Sequence, residues 1–124
     1  MDRILVVDDD SVNLKMAEFF LKDNYEVVAA LSGSRALKFL EQNVPDLILL
    51  DLHMPEMDGM EVLEKIQEME HLRQVPVVFL TADDEEETEQ KLLQAGAAGY
   101  VQKPFMAASL LQKIGQILGK EKLS

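Results

Sequence analysis

Cysteine and tryptophan are absent from this chain, and histidine occurs only twice, as His53 and His71. Without thiols there can be no disulfide, no thiolate metal site and no cysteine nucleophile, a composition that suits a reducing compartment. Zinc has no ligand set either, because neither histidine has a ligand-spaced partner. Basic residues are scarce: 12 Lys and Arg stand against 23 Asp and Glu, a formal net charge of -11. Binding to nucleic acid or to an anionic membrane surface draws its affinity from Lys and Arg, so neither is expected as a direct partner. No apolar run approaches the roughly 20 residues of a spanning helix. The start, Met1-Asp2-Arg3-Ile4-Leu5, turns acidic and then strand-like at once, with no secretory h-region or cleavage site. A cytoplasmic location is the expectation.

What the sequence does have is a repeating order of elements. Its 124 residues are the size of one domain with one core, and 48% of them are hydrophobic. Five short runs read as strands: Ile4 to Val7, Tyr25 to Ala30, Leu47 to Leu50, Val75 to Leu80 and Gly99 to Gln102. Three are apolar without alternation, as in parallel strands covered on both faces. Segments with helical spacing follow, carried by Val12, Met16 and Phe20; by Ala36, Leu37 and Leu40; by Leu63 and Ile66; and by Leu110, Leu111, Ile114, Ile117 and Leu118. Ser11 and Ser34 suit helix starts. Asp84 to Gln94 is helical in composition with only Leu92 and Leu93 as strong anchors, so this fourth helix is expected to be the least firmly packed. The order βα repeated five times predicts an α/β domain, a doubly wound five-stranded parallel sheet of flavodoxin-like (βα)5 type, with helices on both faces. One domain over residues 1–124 is expected, with 118–124 as a frayed tail or the stub of a linker.

In such sheets ligands bind at the carboxyl ends of the strands, where the winding reverses. Asp8, Asp9 and Asp10 follow the first strand, Asp51 ends the third, Thr81 the fourth, and the fifth runs into Lys103-Pro104. The second strand leads only into Ala30, Leu31, Ser32 and Gly33, as an edge strand would in the order 2-1-3-4-5. Three carboxylates about 4 Å apart repel by about 4 kcal/mol per pair at an effective dielectric of 20. A hard divalent cation with oxygen ligands answers that repulsion, and Mg²⁺ leaves room for phosphate oxygens. A lysine and a hydroxyl opposite it complete a cradle for a phosphoryl group. Taken singly, Asp51 reads as a turn former, Lys103 as a solvated surface lysine and Thr81 as a helix cap. Their convergence at one end of the sheet reverses that reading.

The runs Ile4-Leu5-Val6-Val7-Asp8-Asp9-Asp10, Asp51-Leu52-His53-Met54-Pro55-Glu56-Met57-Asp58-Gly59, Thr81-Ala82 and Gly99-Tyr100-Val101-Gln102-Lys103-Pro104-Phe105 together resemble the receiver domain of two-component response regulators, the chemotaxis-regulator-like family. The resemblance spans nearly the whole chain. It implies that Asp51 accepts a phosphoryl group from a phosphohistidine, with Mg²⁺ on Asp9, Asp8, Asp51 and the backbone carbonyl of His53. It assigns Lys103 and Thr81 to the phosphoryl oxygens, makes Lys103-Pro104 a cis peptide, and gives Tyr100 the part of an aromatic that turns inward behind Ala82. His53 and Asp83, two residues beyond Asp51 and Thr81, would tune the lifetime of the phosphate, with Ala82 beside them.

The implied partners are a sensor histidine kinase or histidine phosphotransferase, a downstream protein or fused output domain, and a second copy in a phosphorylation-dependent dimer. The implied protein is a signalling phosphoacceptor and not an enzyme. Two other classes stay open at this point: a phosphohydrolase with an aspartyl nucleophile, and a pseudo-receiver that only binds. His53 stands where the hydrolase would carry its second Asp, and the set Asp8, Asp9, Asp51, Thr81 and Lys103 is complete, which a pseudo-receiver would not need. Met54, Met57 and Met60 read as packing, the acids from Asp83 to Glu89 as favourable charge in a first helical turn, and His71 as a surface residue.

Overall fold

The apolar run after Arg3 cannot present either side to water, and the computed structural model supplies a cover for both. Residues 1–83 and 85–119 are described. The elements are β1 (Arg3–Val7), α1 (Ser11–Leu21), β2 (Glu26–Ala30), α2 (Gly33–Leu40), β3 (Leu47–Asp51), α3 (Gly59–Gln67), a single 3-10 turn (Glu70–Leu72), β4 (Val77–Thr81), α4 (Glu86–Gln94), β5 (Gly99–Gln102) and α5 (Ala107–Leu118). All strand pairs are parallel and the order is β2-β1-β3-β4-β5, as expected. Alternate residues of each strand serve opposite layers. Leu5, Val7, Ile48, Leu50 and Phe79 pack with α2, α3 and Leu92 of α4. Ile4, Val6, Leu47, Leu49 and Leu80 pack with α1 and α5. Among the described residues, no helix is long and apolar enough to cross a membrane.

Several boundaries differ from expectation, each for a local reason. Strand four starts at Val77 and not Val75, because the Val75 N–H closes the 3-10 turn onto the Leu72 carbonyl and Pro76 has no N–H to give. Tyr25 is left out of β2 because its N–H still bonds the Leu21 carbonyl at the end of α1. The caps of α1 and α2 are Asp10 and Ser32, whose side chains accept from the N–H groups of Val12 and Arg35; Ser11 and Ser34 lie one and two residues further in. In α1 the core face is Leu14, Ala17 and Leu21, while Val12 is 61% exposed and Met16 and Phe20 only flank the core. That helix is apolar on more than one side, so spacing alone could not choose the face. His71 is exposed, yet its Nε2 lies 2.6 Å from the Leu40 carbonyl at the end of α2. Leu118 closes α5 and Gly119 (φ 70°) caps it in the left-handed region that favours glycine. The rest of the expected tail, 120–124, and Asp84 lie outside the described residues.

One glycine ties the core to the end of β3. The N–H of Gly59, the first residue of α3, bonds the Leu52 carbonyl at 2.8 Å, and a Cβ at Gly59 would meet the Asp51 carbonyl oxygen at 2.5 Å and both Leu52 Cα and Phe79 Cε1 at 2.9 Å. Two of these neighbours are backbone, which cannot move aside as a side chain can. Gly59→Ala is therefore expected to lower stability by about 1–3 kcal/mol, as overpacking does. The test is the midpoint of urea unfolding, and an unchanged midpoint would refute the close approach.

Candidate functional site

The carboxyl ends of β1, β3, β4 and β5 meet in one acidic cleft. Asp8 follows β1 and is fully buried, Asp51 is the last residue of β3 at 4% exposure, and Thr81 is the last of β4 at 1%. Asp9, beside Asp8, is exposed. Carboxylate oxygens of Asp8, Asp9 and Asp51 lie within 4.8 Å of one another. Lys103, just past β5, reaches in from the opposite side, with Nζ 2.9 Å from Asp51 Oδ1 and 3.0 Å from Asp8 Oδ2. Its position is set by the backbone: the Lys103 N–H bonds the Thr81 carbonyl, and the Lys103-Pro104 peptide is cis, as expected.

Two residues that the sequence reading did not assign hold Asp8 in place. The Asp10 N–H donates to Asp8 Oδ1 at 2.9 Å and Asn13 Nδ2 to Asp8 Oδ2 at 3.2 Å. The signal for Asn13 was its place in the first turn of α1, directly over the end of β1. Asp8 is thus held by three protein donors, whereas Asp9 is exposed.

Burial, first, and the nearby charge of Asp8 drive the Asp51 carboxyl up from 3.8 to about 6, against the opposing pull of Lys103. The Lys103 pKa is raised as well: burial alone would lower it, but its bonds to Asp51 and Asp8 win and favour the charged ammonium. One ammonium against three carboxylates leaves two negative charges uncompensated. An all-oxygen donor set with that deficit fits a hard dication such as Mg²⁺, which binds through one or two carboxylates and keeps several waters.

Thr81 does not cap α4; that position belongs to Glu85, without a side-chain bond. Its Oγ1 instead accepts from the Asp83 N–H at 3.0 Å. Asp83 in turn accepts from the Glu85 N–H at 2.9 Å and from the Thr88 hydroxyl at 2.8 Å, and these two bonds hold its pKa down. The exposed His53 is close enough to Asp83 to add a smaller effect of the same sign. Ala82 is exposed beside the cleft. Tyr100 is half-buried on β5 and points away from the cleft: its phenol is hydrogen-bonded to Glu89 of α4, which raises its pKa, and Lys113 Nζ of α5 lies 5.9 Å from its ring centre. Thr88 and Glu89 were not identified from sequence, where they disappear into an acidic run. Met54 is buried and Met57 and Met60 flank the core, which bears out their reading as packing.

The loop from β3 to α3 is held tightly. Met57 N–H bonds the Pro55 carbonyl, Glu56 between them stands at φ 68°, and Asp58 and Glu61 form a reciprocal capping box on α3.

Comparison with known proteins agrees with this geometry. Over 111 residues the chain is 40% identical to a probable cyclic di-GMP phosphodiesterase of Vibrio cholerae, covering 90% of this chain but only 25% of that protein. Over 117 residues it is 32% identical to the polar-differentiation response regulator DivK of Brucella ovis, covering 94% of this chain and 95% of DivK. The receiver domain of the sensor histidine kinase PA1611 from Pseudomonas aeruginosa, solved with a magnesium ion in its active-site cleft, superposes with a TM-score of 0.86 at 33% identity, over 95% of this chain and 98% of that one. The model of the response regulator receiver domain matches residues 4–115. A match that runs from the first residues of β1 into α5 makes this chain a member of the response regulator receiver domain family.

Proposed function

We propose that the domain is a Mg²⁺-dependent phosphoacceptor, single over residues 1–124 and working in the cytoplasm, and that Asp51 is the residue phosphorylated. The observation that carries this reading is the Asp51 carboxylate, nearly buried at a strand end with an ammonium on one oxygen and two further carboxylates beside it. Asp51 attacks the phosphorus of a phosphohistidine on a sensor kinase or phosphotransferase; the O–P bond forms, the P–N bond breaks, and its electron pair leaves with the imidazole. Asp9, Asp8, Asp51 and the His53 carbonyl would hold Mg²⁺, which when bound neutralises charge on the phosphoryl oxygens. Positioning and charge neutralisation are the main demands of such a transfer, so no general base is needed. Lys103 exchanges its contact with Asp8 for a phosphoryl oxygen while keeping Asp51 within reach. The product is a signal, and the domain assists its own phosphorylation and dephosphorylation, with His53, Asp83 and Ala82 setting the phosphate's lifetime. A separate protein, an output domain or a second copy then reads it.

The reading of the phosphate follows from the bonds of Thr81. Turning its hydroxyl toward a phosphoryl oxygen withdraws the acceptor from the Asp83 N–H, and Asp83 carries the start of α4 through Glu85 and Thr88. A shift of α4 takes Glu89 from Tyr100, and the ring turns inward behind Ala82. The face built from α4, β5 and α5 is thereby biased between two arrangements.

With acetyl phosphate and Mg²⁺ the protein is expected to gain one phosphoryl group by mass, and Asp51→Asn none while staying folded. Labelling that persists in Asp51→Asn would overturn the assignment. Binding of beryllofluoride, a phosphoryl mimic, is expected to shift NMR signals of Asp83, Thr88, Glu89 and Tyr100 as well as those of the cleft; shifts confined to the loops around Asp51 would remove the relay.

The raised pKa of Asp51 also fixes a dependence of stability on pH. Because the folded value of about 6 lies above the ordinary 3.8, holding the proton favours the fold. That contribution is full below 3.8 and is lost as pH rises through about 6. In chelator at pH well above 6, Asp51→Asn is expected to be more stable than the parent by about 1–3 kcal/mol, the order set by 1.36 kcal/mol per pKa unit. The advantage should close toward pH 4 in parallel urea titrations; a constant advantage would refute the buried-charge origin.

A further inference from the structure

At the far side of the sheet from β5, strand β2 pairs only with β1 among the described residues. Glu26 N–H bonds the Asp2 carbonyl and Asp8 N–H bonds the Ala30 carbonyl, so the even-numbered residues of β2 turn their backbone groups toward β1. In a parallel strand the residues between them, Val27 and Ala29, then direct theirs outward. Proteins guard such edges with Lys, Pro or bulges. Strand β2, Glu-Val-Val-Ala-Ala, carries neither Lys nor Pro.

Beside this open edge lies a largely apolar cavity of about 320 Å³ between α1 and α2. Leu14, Val28, Leu31 and Phe39 supply apolar walls, and the exposed side chains of Lys15 and Arg35 stand on its lining. Leu31 is 43% exposed. Neither Lys15 nor Arg35 makes an ion pair within the described residues, in a chain of net charge -11. Both belong to the early turns of helices that begin at the carboxyl ends of the strands, so the positive charge collects at that end of β2. At the other end Glu26 is paired with Arg3. Glu18, also on the lining, marks where an acid would be repelled.

We propose that the β2 edge is a docking site for an extended segment of a partner protein. The segment would add as a sixth strand against Val27 and Ala29, place one bulky apolar side chain in the recess, and carry acidic residues facing Lys15 and Arg35. This is strand addition, in which main-chain bonds give affinity and a pocket for alternate side chains gives selectivity. The charge pattern decides for such a segment over a neutral or basic one. It is independent of phosphorylation, and the test needs no phosphodonor.

The probe is the blocked peptide acetyl-Thr-Val-Phe-Val-Glu-Asp-amide, titrated into ¹⁵N-labelled protein and compared with the version ending in Lys-Lys. The acidic peptide is expected to shift the amides of residues 27–31 together with Lys15 and Arg35, and to slow hydrogen exchange at Val27 and Ala29. Replacing both cations, as Lys15→Glu with Arg35→Glu, is expected to weaken it about tenfold or more, the scale of two lost charge contacts. Ala29→Pro removes one outward N–H at an edge position where proline is tolerated, and should abolish binding while the thermal melt stays cooperative. Equal binding of the two peptides, or shifts elsewhere on the surface, would overturn the proposal. So would self-association through this edge in sedimentation, which would give it to a second copy. Saturation by decanoate with no response to either peptide would overturn it in favour of a small amphiphile.

Discussion

The charge of Asp51 is the constraint on which the rest of the structure turns. A carboxylate this close to full burial belongs with one strong partner and no like charge, yet Asp51 shares its lysine with Asp8 and has Asp9 within reach. The parallel sheet makes the arrangement possible. With β1 and β3 adjacent, their carboxyl ends bring Asp8 and Asp51 together, and β5, two strands away from β3, sends Lys103 back across the cleft. The surrounding core is apolar and rigid: Val7, Leu50, Phe79 and Leu80 are all at most 1% exposed. Moving the strands apart to ease the repulsion would break that core. Protonation of Asp51, whose pKa is raised to about 6, relieves part of the repulsion, and in the proposed function a bound dication would relieve the rest.

Asp8 and Asp9 divide their work accordingly. Asp8 receives a backbone N–H, an amide and an ammonium, and the first two hold its carboxylate even where the ammonium turns to another oxygen. Asp9, exposed, is the carboxylate with freedom to bind. Breaking a buried ion pair by removing one member leaves a bare charge and commonly costs about 3–5 kcal/mol. The shared lysine avoids that outcome, since Nζ can release one carboxylate while still holding the other.

Much of this was legible in the sequence because the informative positions sit at the ends of strands. Runs such as Ile4 to Val7 and Leu47 to Leu50 are too apolar for a half-wet sheet, which dictates parallel strands, and the residue after each run then falls on the reactive edge. Spacing was less informative in α1, where Val12, Met16 and Phe20 have the right period but Leu14, Ala17 and Leu21 face the core. Phe20 instead meets Phe105, in the loop between β5 and α5, edge-on at 6.1 Å, a contact decided by tertiary packing. The links from Thr81 through Asp83 to Thr88, and from Tyr100 to Glu89, were illegible for a related reason. They run through hydrogen bonds whose geometry depends on the turn after β4, and in sequence Asp83, Thr88 and Glu89 are part of one acidic stretch.

That stretch also explains why α4 is suited to be the element that answers in the proposed switch. Leu92 is its one buried residue, and its cap, Glu85, makes no side-chain bond. Leu93, the second anchor read from the sequence, is 49% exposed. The acids Glu86, Glu87 and Glu89 favour the helix itself through its dipole, by about 0.3–1 kcal/mol each, without fastening it to the sheet. The helix is therefore stable as a helix and weakly docked as a part. Beyond Leu92, its attachment includes the exposed Asp83 bonds to Glu85 and Thr88 and the contact of Glu89 with Tyr100. In the proposed switch, a phosphoryl group that draws Thr81 away would act on the first link of this chain. A helix held by several buried aliphatic side chains, as α3 is by Val62, Leu63 and Ile66, would not respond to so small a change.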